Sequence, residues 1–195
     1  MGRNSIAAVL AALVLLAGCA SGSSSAGTNQ IPVIAAESTA AASAETESTS
    51  SGTDYGFGRI PEFSASDLDG KTFDNALFKE KDLTFINYWA TWCPPCRGEL
   101  PDFQALYDQY GDRITFVTVI DDAIDNAEAG KLADEYLSFC VNLTPDSRLI
   151  SELQTGYVPT SVIVDSDGNL VIDKMIGAYG GEYAGYIDEA LEKVE

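Results

Sequence analysis

Apolar and polar positions along the chain fall into blocks whose spacing predicts one α/β domain over residues 59–195. Leu83-Thr84-Phe85-Ile86-Asn87-Tyr88-Trp89 is almost continuously apolar, which suits a central strand covered on both faces. Glu99 to Tyr110 follows, with Leu100, Phe103, Leu106, Tyr107 and Tyr110 at i, i+3, i+4 spacing. That spacing predicts an amphipathic helix, kinked where Pro101 lacks an N–H and ended by Gly111. Ile114 to Ile120 is the next strand, and strand–helix–strand predicts a right-handed parallel crossover. Asp125 to Phe139 reads as a helix with Asp125 as N-cap, and Ser147 to Gln154 as a shorter one. Ser161–Val164 and Leu170–Ile176 read as strands, and the turn Asp165-Ser166-Asp167-Gly168 between them predicts antiparallel pairing. Gly181 to Val194 closes the chain as a helix, with Tyr183, Tyr186, Ile187, Ala190, Leu191 and Val194 on its apolar stripe. Ahead of these, Phe63–Leu68 and Lys71–Phe73 flank Asp69-Gly70, predicting a β-hairpin with a two-residue turn. The expected architecture is a mixed central sheet with helices on both faces and an N-terminal β-hairpin.

Residues 1–58 read differently. Arg3 gives a weakly positive start, and Ile6 to Ala17 is an apolar run shorter than the about 20 residues a membrane span needs. Leu16-Ala17-Gly18-Cys19 looks like a bacterial lipobox, in which Cys19 is acylated on sulfur and becomes the first mature residue. An ordinary signal peptide cleaved nearby is the alternative. Residues 1–18 are therefore read as a lipoprotein signal peptide, and residues 19–58 as a lipidated flexible tether. The Ser, Thr, Ala, Gly and Glu of that tether bury too little to offset ordering entropy. As a coil of about 39 residues it would span on the order of 35 Å. Acyl chains partition into the bilayer, so the protein would be anchored to the membrane without spanning it.

Charge narrows the partners. The chain carries 30 acidic and 11 basic residues, a net charge of −19. No basic patch is available to neutralise phosphates, which argues against nucleic acid, and lipid binding would gain nothing from a polybasic stretch.

The chemistry concentrates at Trp92-Cys93-Pro94-Pro95-Cys96, between the buried strand and the helix. A Cys-x-x-Cys at such a junction holds two thiols close enough for a small-ring disulfide. It also sets the first sulfur at a helix N-terminus, where the dipole favours thiolate. Thiol–disulfide exchange is the chemistry that follows. Zinc would need two further ligands, the chain has no histidine, and Cys19 and Cys140 have no paired spacing. Cys140, within the apolar Leu137–Val141, reads as a buried inert thiol, with a regulatory or resolving thiol as the alternative.

This order of elements, with its cysteine motif after the first buried strand, resembles the thioredoxin superfamily. More narrowly it is similar to membrane-tethered thiol–disulfide oxidoreductases of the TlpA/ResA kind. The resemblance rests on Pro61-Glu62-Phe63, Asp69-Gly70-Lys71, Asn87 through Pro101, Val158-Pro159-Thr160 and Asp165-Ser166-Asp167-Gly168. It implies a thioredoxin-like three-layer α/β fold, no cofactor, and a Cys93–Cys96 disulfide. Cys93 would be the exposed attacking thiol and Cys96 the buried resolving one. Val158-Pro159-Thr160 would be a cis-proline loop beside the disulfide, with Val158 pairing its backbone to an extended substrate and Pro159 packing on the sulfurs. Trp92 would shield the disulfide and touch substrate, and Tyr157 would line the groove. Glu99 would tune thiol ionisation; spacing alone makes it a first-turn glutamate favoured by the helix dipole. Asn87 stands where cytoplasmic thioredoxins carry a buried acid and cannot itself shuttle a proton.

The implied activity is extracytoplasmic reduction of protein disulfides, in cytochrome c maturation or in repair of oxidised proteins. The implied partners are protein disulfides, a membrane electron donor of the CcdA/DsbD kind and the bacterial cell membrane, with a monomer expected. Three rivals are a dithiol oxidase, a thiol peroxidase and a non-enzymatic lipidated binding module. A peroxidase of related fold would use one peroxidatic cysteine in a Thr-x-x-Cys setting, and a copper chaperone would be expected to add histidine.

Overall fold

A computed structural model describes residues 53–195. The expected signal peptide, Cys19 and residues 19–52 of the expected tether lie outside the described residues. Packing against the domain begins at Tyr55, which lies on the core, and the Gly58 carbonyl accepts from the Leu170 N–H at 2.9 Å.

A five-stranded mixed sheet organises the fold. β1 (Ser64–Ser66) and β2 (Thr72–Asp74) form a separate antiparallel hairpin. β3 (Leu83–Trp89) is central; β4 (Ile114–Ile120) and β5 (Val141–Leu143) extend from it in parallel. β6 (Thr160–Val164) and β7 (Met175–Ile176) continue antiparallel on its other side, giving the order β5-β4-β3-β6-β7. The α-helices are α1 (Pro94–Glu99), α2 (Phe103–Tyr110), α3 (Ala127–Tyr136) and α4 (Tyr183–Val194). The parallel connections step the same way, β3 to β4 to β5, so crossovers of one hand put α1, α2 and α3 over one face.

Alternation along β3 divides the core. Leu83, Phe85 and Trp89 point into the cluster that also holds Leu100, Phe103, Leu132 and Tyr183 from the helical segments. Ile86 and Tyr88 point into a second cluster, completed by Phe63, Leu77 and Phe78 near the hairpin and by Leu149, Ile150 and Leu153. The helical cover of that second face consists of 3₁₀ turns, Asn75–Lys79 and Leu149–Glu152.

Several elements depart from the expected boundaries. The hairpin turn is not two residues: pairing stops at Ser66 and Thr72, and the Asp67 carboxylate accepts from Asp69 N at 3.0 Å and Lys71 N at 2.8 Å. Helix begins at Pro94, and Pro101 replaces the expected kink with a 3₁₀ turn, Leu100–Asp102, between α1 and α2. Gly111 does end α2 but with φ −59; glycine is required there because a Cβ would lie 2.6 Å from the Tyr107 carbonyl. The α3 cap is Asn126, whose side chain accepts from Glu128 N, while Asp125 takes φ 57 in the preceding turn. The stretch from Leu170 to Ile176 is not one strand. Leu170 makes an isolated bridge to Val164 and pairing resumes only at Met175, with Lys174 diverted to an ion pair with Glu152.

Candidate active site

The C-terminal ends of β3 and β4 and the start of antiparallel β6 meet at one end of the sheet. Three loops converge there: Ala90–Cys93 after β3, Asp121–Asn126 after β4, and Thr155–Pro159 before β6. The first two are tied together. Asp122 accepts from Thr91 N at 2.9 Å and from Thr91 Oγ1 at 2.5 Å, and Asn126 Nδ2 donates to both side chains at 3.0 Å. This clamp fixes the turn that feeds the cysteines into α1.

Cys93 and Cys96 form a disulfide, with their Cα atoms 5.3 Å apart. Cys93 is the N-cap of α1: its Sγ accepts from the Cys96 N–H at 3.3 Å. Pro94 and Pro95 occupy the first helical positions, where a missing N–H costs nothing. The Val158–Pro159 peptide is cis, and the Val158 carbonyl oxygen lies 3.5 Å from Cys93 Sγ. Cys93 is only 2% exposed, unlike the expected exposed thiol, because the bond to Cys96 turns its sulfur inward beneath Val158. Trp92 instead projects outward at 65% exposure, while Trp89 is fully buried.

Glu99 is the last residue of α1 and 3% exposed, so it is not a first-turn glutamate favoured by the helix dipole. Its Oε1 accepts from Asn87 Nδ2 at 3.1 Å; its Oε2 accepts from Tyr179 N and Tyr183 Oη, both at 3.1 Å. Asn87 Nδ2 also donates to Ser161 Oγ at 2.9 Å, and Ser161 Oγ donates to Tyr183 Oη at 3.1 Å, closing a ring across β3, β6, α1 and α4. Asn87 Oδ1 is buried without a partner. Burial pushes the Glu99 pKa up, and the four donors from Asn87, Tyr183, Gly180 and Tyr179 pull it back only in part. A raised carboxylate pKa means the folded protein holds the proton more tightly than the unfolded chain. Its stabilisation is fully present below the ordinary value and is lost as pH rises through the folded one. Urea titrations should therefore show the stability of wild type, relative to Glu99→Gln, falling as pH rises upward from 4.5. A difference that stays flat with pH would contradict a raised Glu99.

Tyr183, Ser161 and Tyr179 went unassigned in the sequence because a stripe of apolar spacing says nothing of where a hydroxyl points. Tyr88, Asp121 and Gln154 were also missed. They border a cleft of about 450 Å³ against Trp92, Tyr157 and Val158. The Tyr88 hydroxyl donates to Asp121 Oδ1, and burial together with that bond pushes the Tyr88 pKa up to about 12. Cys140 is half-buried ahead of β5, and burial pushes its thiol pKa up. A larger cleft of about 660 Å³, lined by Lys81, Arg113 and Lys193, does not touch the disulfide.

Comparison with known proteins matches residues 58–172 to the family model described as the AhpC/TSA family. Thiol-disulfide oxidoreductase ResA of Bacillus anthracis is 31% identical over 118 residues, covering 60% of this chain and 67% of that protein. Sporulation thiol-disulfide oxidoreductase A of Bacillus subtilis (strain 168) is 29% identical over 103 residues, 50% of this chain and 61% of that one. Among solved structures, a thiol:disulfide interchange protein of the thioredoxin family from Chlorobium tepidum TLS superposes with a TM-score of 0.57 at 25% identity. That match covers 70% of this chain and 96% of the other.

Proposed function

The chain belongs to the AhpC/TSA family and is a thiol–disulfide oxidoreductase, and from that premise we propose that it works as an extracytoplasmic protein disulfide reductase. The observation that carries this reading is the Cys93–Cys96 disulfide capping α1 beside the Val158 carbonyl. In the reduced protein the Cys93 thiolate attacks one sulfur of a substrate disulfide and expels the other as thiolate, leaving a mixed disulfide on Cys93. Cys96 then attacks Cys93 Sγ and releases the second substrate thiolate. Two electrons pass to the substrate, and a dithiol donor must return them; a membrane donor of the CcdA/DsbD kind fits that role.

Each site residue then has a task. The amide of Cys96 and the helical dipole favour thiolate on Cys93. Val158 offers backbone to an extended substrate, Pro159 backs the sulfurs, and Trp92 forms an exposed wall. Glu99, three residues after Cys96 and with its pKa raised by burial, is the group we assign as acceptor for the proton that Cys96 gives up. A thiol peroxidase of related fold would carry its peroxidatic cysteine in a Thr-x-x-Cys setting; here the pair is Cys-x-x-Cys after Trp92. The lipobox-like Leu16-Ala17-Gly18-Cys19 supports the location: a lipid on Cys19 would hold the protein at the outer face of the cell membrane, with residues 19–58 as spacer. Cytochrome c maturation and repair of oxidised proteins both suit a reductase so placed.

Direction of electron flow is tested by the reduction potential of Cys93/Cys96, measured at equilibrium with glutathione or dithiothreitol. A value near or below about −270 mV is expected for a reductase. A value near about −120 mV would make the protein a disulfide donor instead.

A further inference from the structure

We propose that the cleft beside the disulfide is a specificity subsite that takes a cationic side chain, lysine or arginine, flanking the substrate disulfide. This rests on the oxidoreductase reading and adds a substrate chemistry to it. The cleft runs from Val158, whose carbonyl lies against Cys93, to a polar side formed by Asp121, Tyr88 and Gln154. Its walls are Trp92 at 65% exposure and Tyr157 at 71%, large aromatic faces that nothing in the domain covers. Ring faces attract ammonium and guanidinium groups, most strongly Trp.

The polar side supplies the opposite charge. Asp121 is fixed from two sides, by its N–H donating to the Trp89 carbonyl at 2.8 Å and by the Tyr88 hydroxyl on Oδ1. Among the described residues no ion pair engages it. A carboxylate held in place, unpaired and flanked by bare aromatic faces, complements a long cationic side chain whose methylenes lie along the rings. An anionic substrate would meet Asp121 without a counter-charge. Because the cleft is continuous with the Val158 edge, a substrate strand lying there would send a neighbouring side chain into it.

The test uses cyclic Cys-x-x-Cys peptide disulfides that differ only in Arg, Gln or Glu beside one cysteine, reduced by the pre-reduced protein. At low salt kcat/KM is expected to be about tenfold higher for Arg than for Glu, an aromatic contact and a partly exposed charge pair together. Asp121→Asn keeps an acceptor for Tyr88 and should cut that ratio to about twofold; Tyr157→Ala should lower it as well. Asp125→Asn removes an equal charge from the same loop, outside the cleft lining, and should leave the ratio standing. Equal rates for the three peptides, or an Asp121→Asn protein with its preference intact, would overturn the subsite. Uncharged hydroxyethyl disulfide separates the two levels: if wild type fails to reduce it, the oxidoreductase reading itself fails, and with it the subsite.

Discussion

Replacing Cys93 with Ser is expected to reduce insulin-disulfide turnover to the uncatalysed rate, whereas Cys96→Ser should stop turnover and leave substrate bound. The two outcomes differ because the sulfurs do different work. Cys93 Sγ caps α1 and faces the Val158 edge, so it is the sulfur a substrate meets. A serine there presents a hydroxyl of far higher pKa, and no thiolate forms. Cys96 is fully buried behind it and reaches Cys93 Sγ only from within the protein. Without Cys96 the mixed disulfide waits for an external thiol, losing the advantage of an intramolecular attacker, so turnover should fall by at least about a thousandfold. Mass spectrometry of the Cys96→Ser protein should show one substrate per chain, removed by dithiothreitol. Full activity in Cys93→Ser, or absence of the adduct in Cys96→Ser, would remove the assignment.

Cys140 cannot replace Cys96 in that experiment. It precedes β5, which lies two strands from β3, about 10 Å across the sheet. The pairing Val141 to Val117, and Val117 to Ile86, also sets it level with the middle of β3, away from the end that carries Cys93. Its raised pKa leaves it protonated besides.

How much of this was legible in the chain depended on the range of the interaction involved. β3 and β4 fall where their apolar runs do, because a strand covered on both faces leaves no polar positions to blur its limits. The cysteine motif was legible because its two sulfurs and its helix start are adjacent in sequence. Short or long-range features were not. β5 is three residues with only Leu143 fully buried, too brief for a period to show. The Asn126 cap lost to Asp125 by one residue, since either side chain can cap and only the φ 57 turn decides. The Glu99 ring joins residues separated by 12, 74 and 84 positions, a pairing that no local spacing encodes. Spacing alone makes Glu99 a first-turn residue favoured by the helix dipole, yet it closes α1 and at 3% exposure lies in the interior. Asp121 carries no sequence signal of its own; the Tyr88 hydroxyl and the exposed Trp92 and Tyr157 that line the same cleft come to it only through the fold.

Phe85→Ala is expected to be the most disruptive core substitution and also to disturb the buried carboxylate. Phe85 is 1% exposed, with ring centroids at 5.1 Å from Tyr183, 5.7 Å from Phe116 and 5.8 Å from Phe103. Removing it opens a cavity that four elements border and none can fill, a loss of about 3–5 kcal/mol. Domains of this size hold about 5–15 kcal/mol in all, so urea unfolding should begin at markedly lower concentration. Phe78→Ala gives the comparison. Phe78 is equally buried, but it packs on Phe63 in the opposite cluster, away from Tyr183. Both variants should lose similar stability. Only Phe85→Ala frees the Tyr183 ring, whose hydroxyl donates to Glu99 Oε2. With that donor loosened, the carboxylate loses one of the bonds that favour its charged form, and its pKa rises further. Stability should then fall with pH over a range extending higher in Phe85→Ala than in wild type or Phe78→Ala. Identical pH dependence in the two variants would mean that the aromatic cluster supports the fold without setting the state of Glu99.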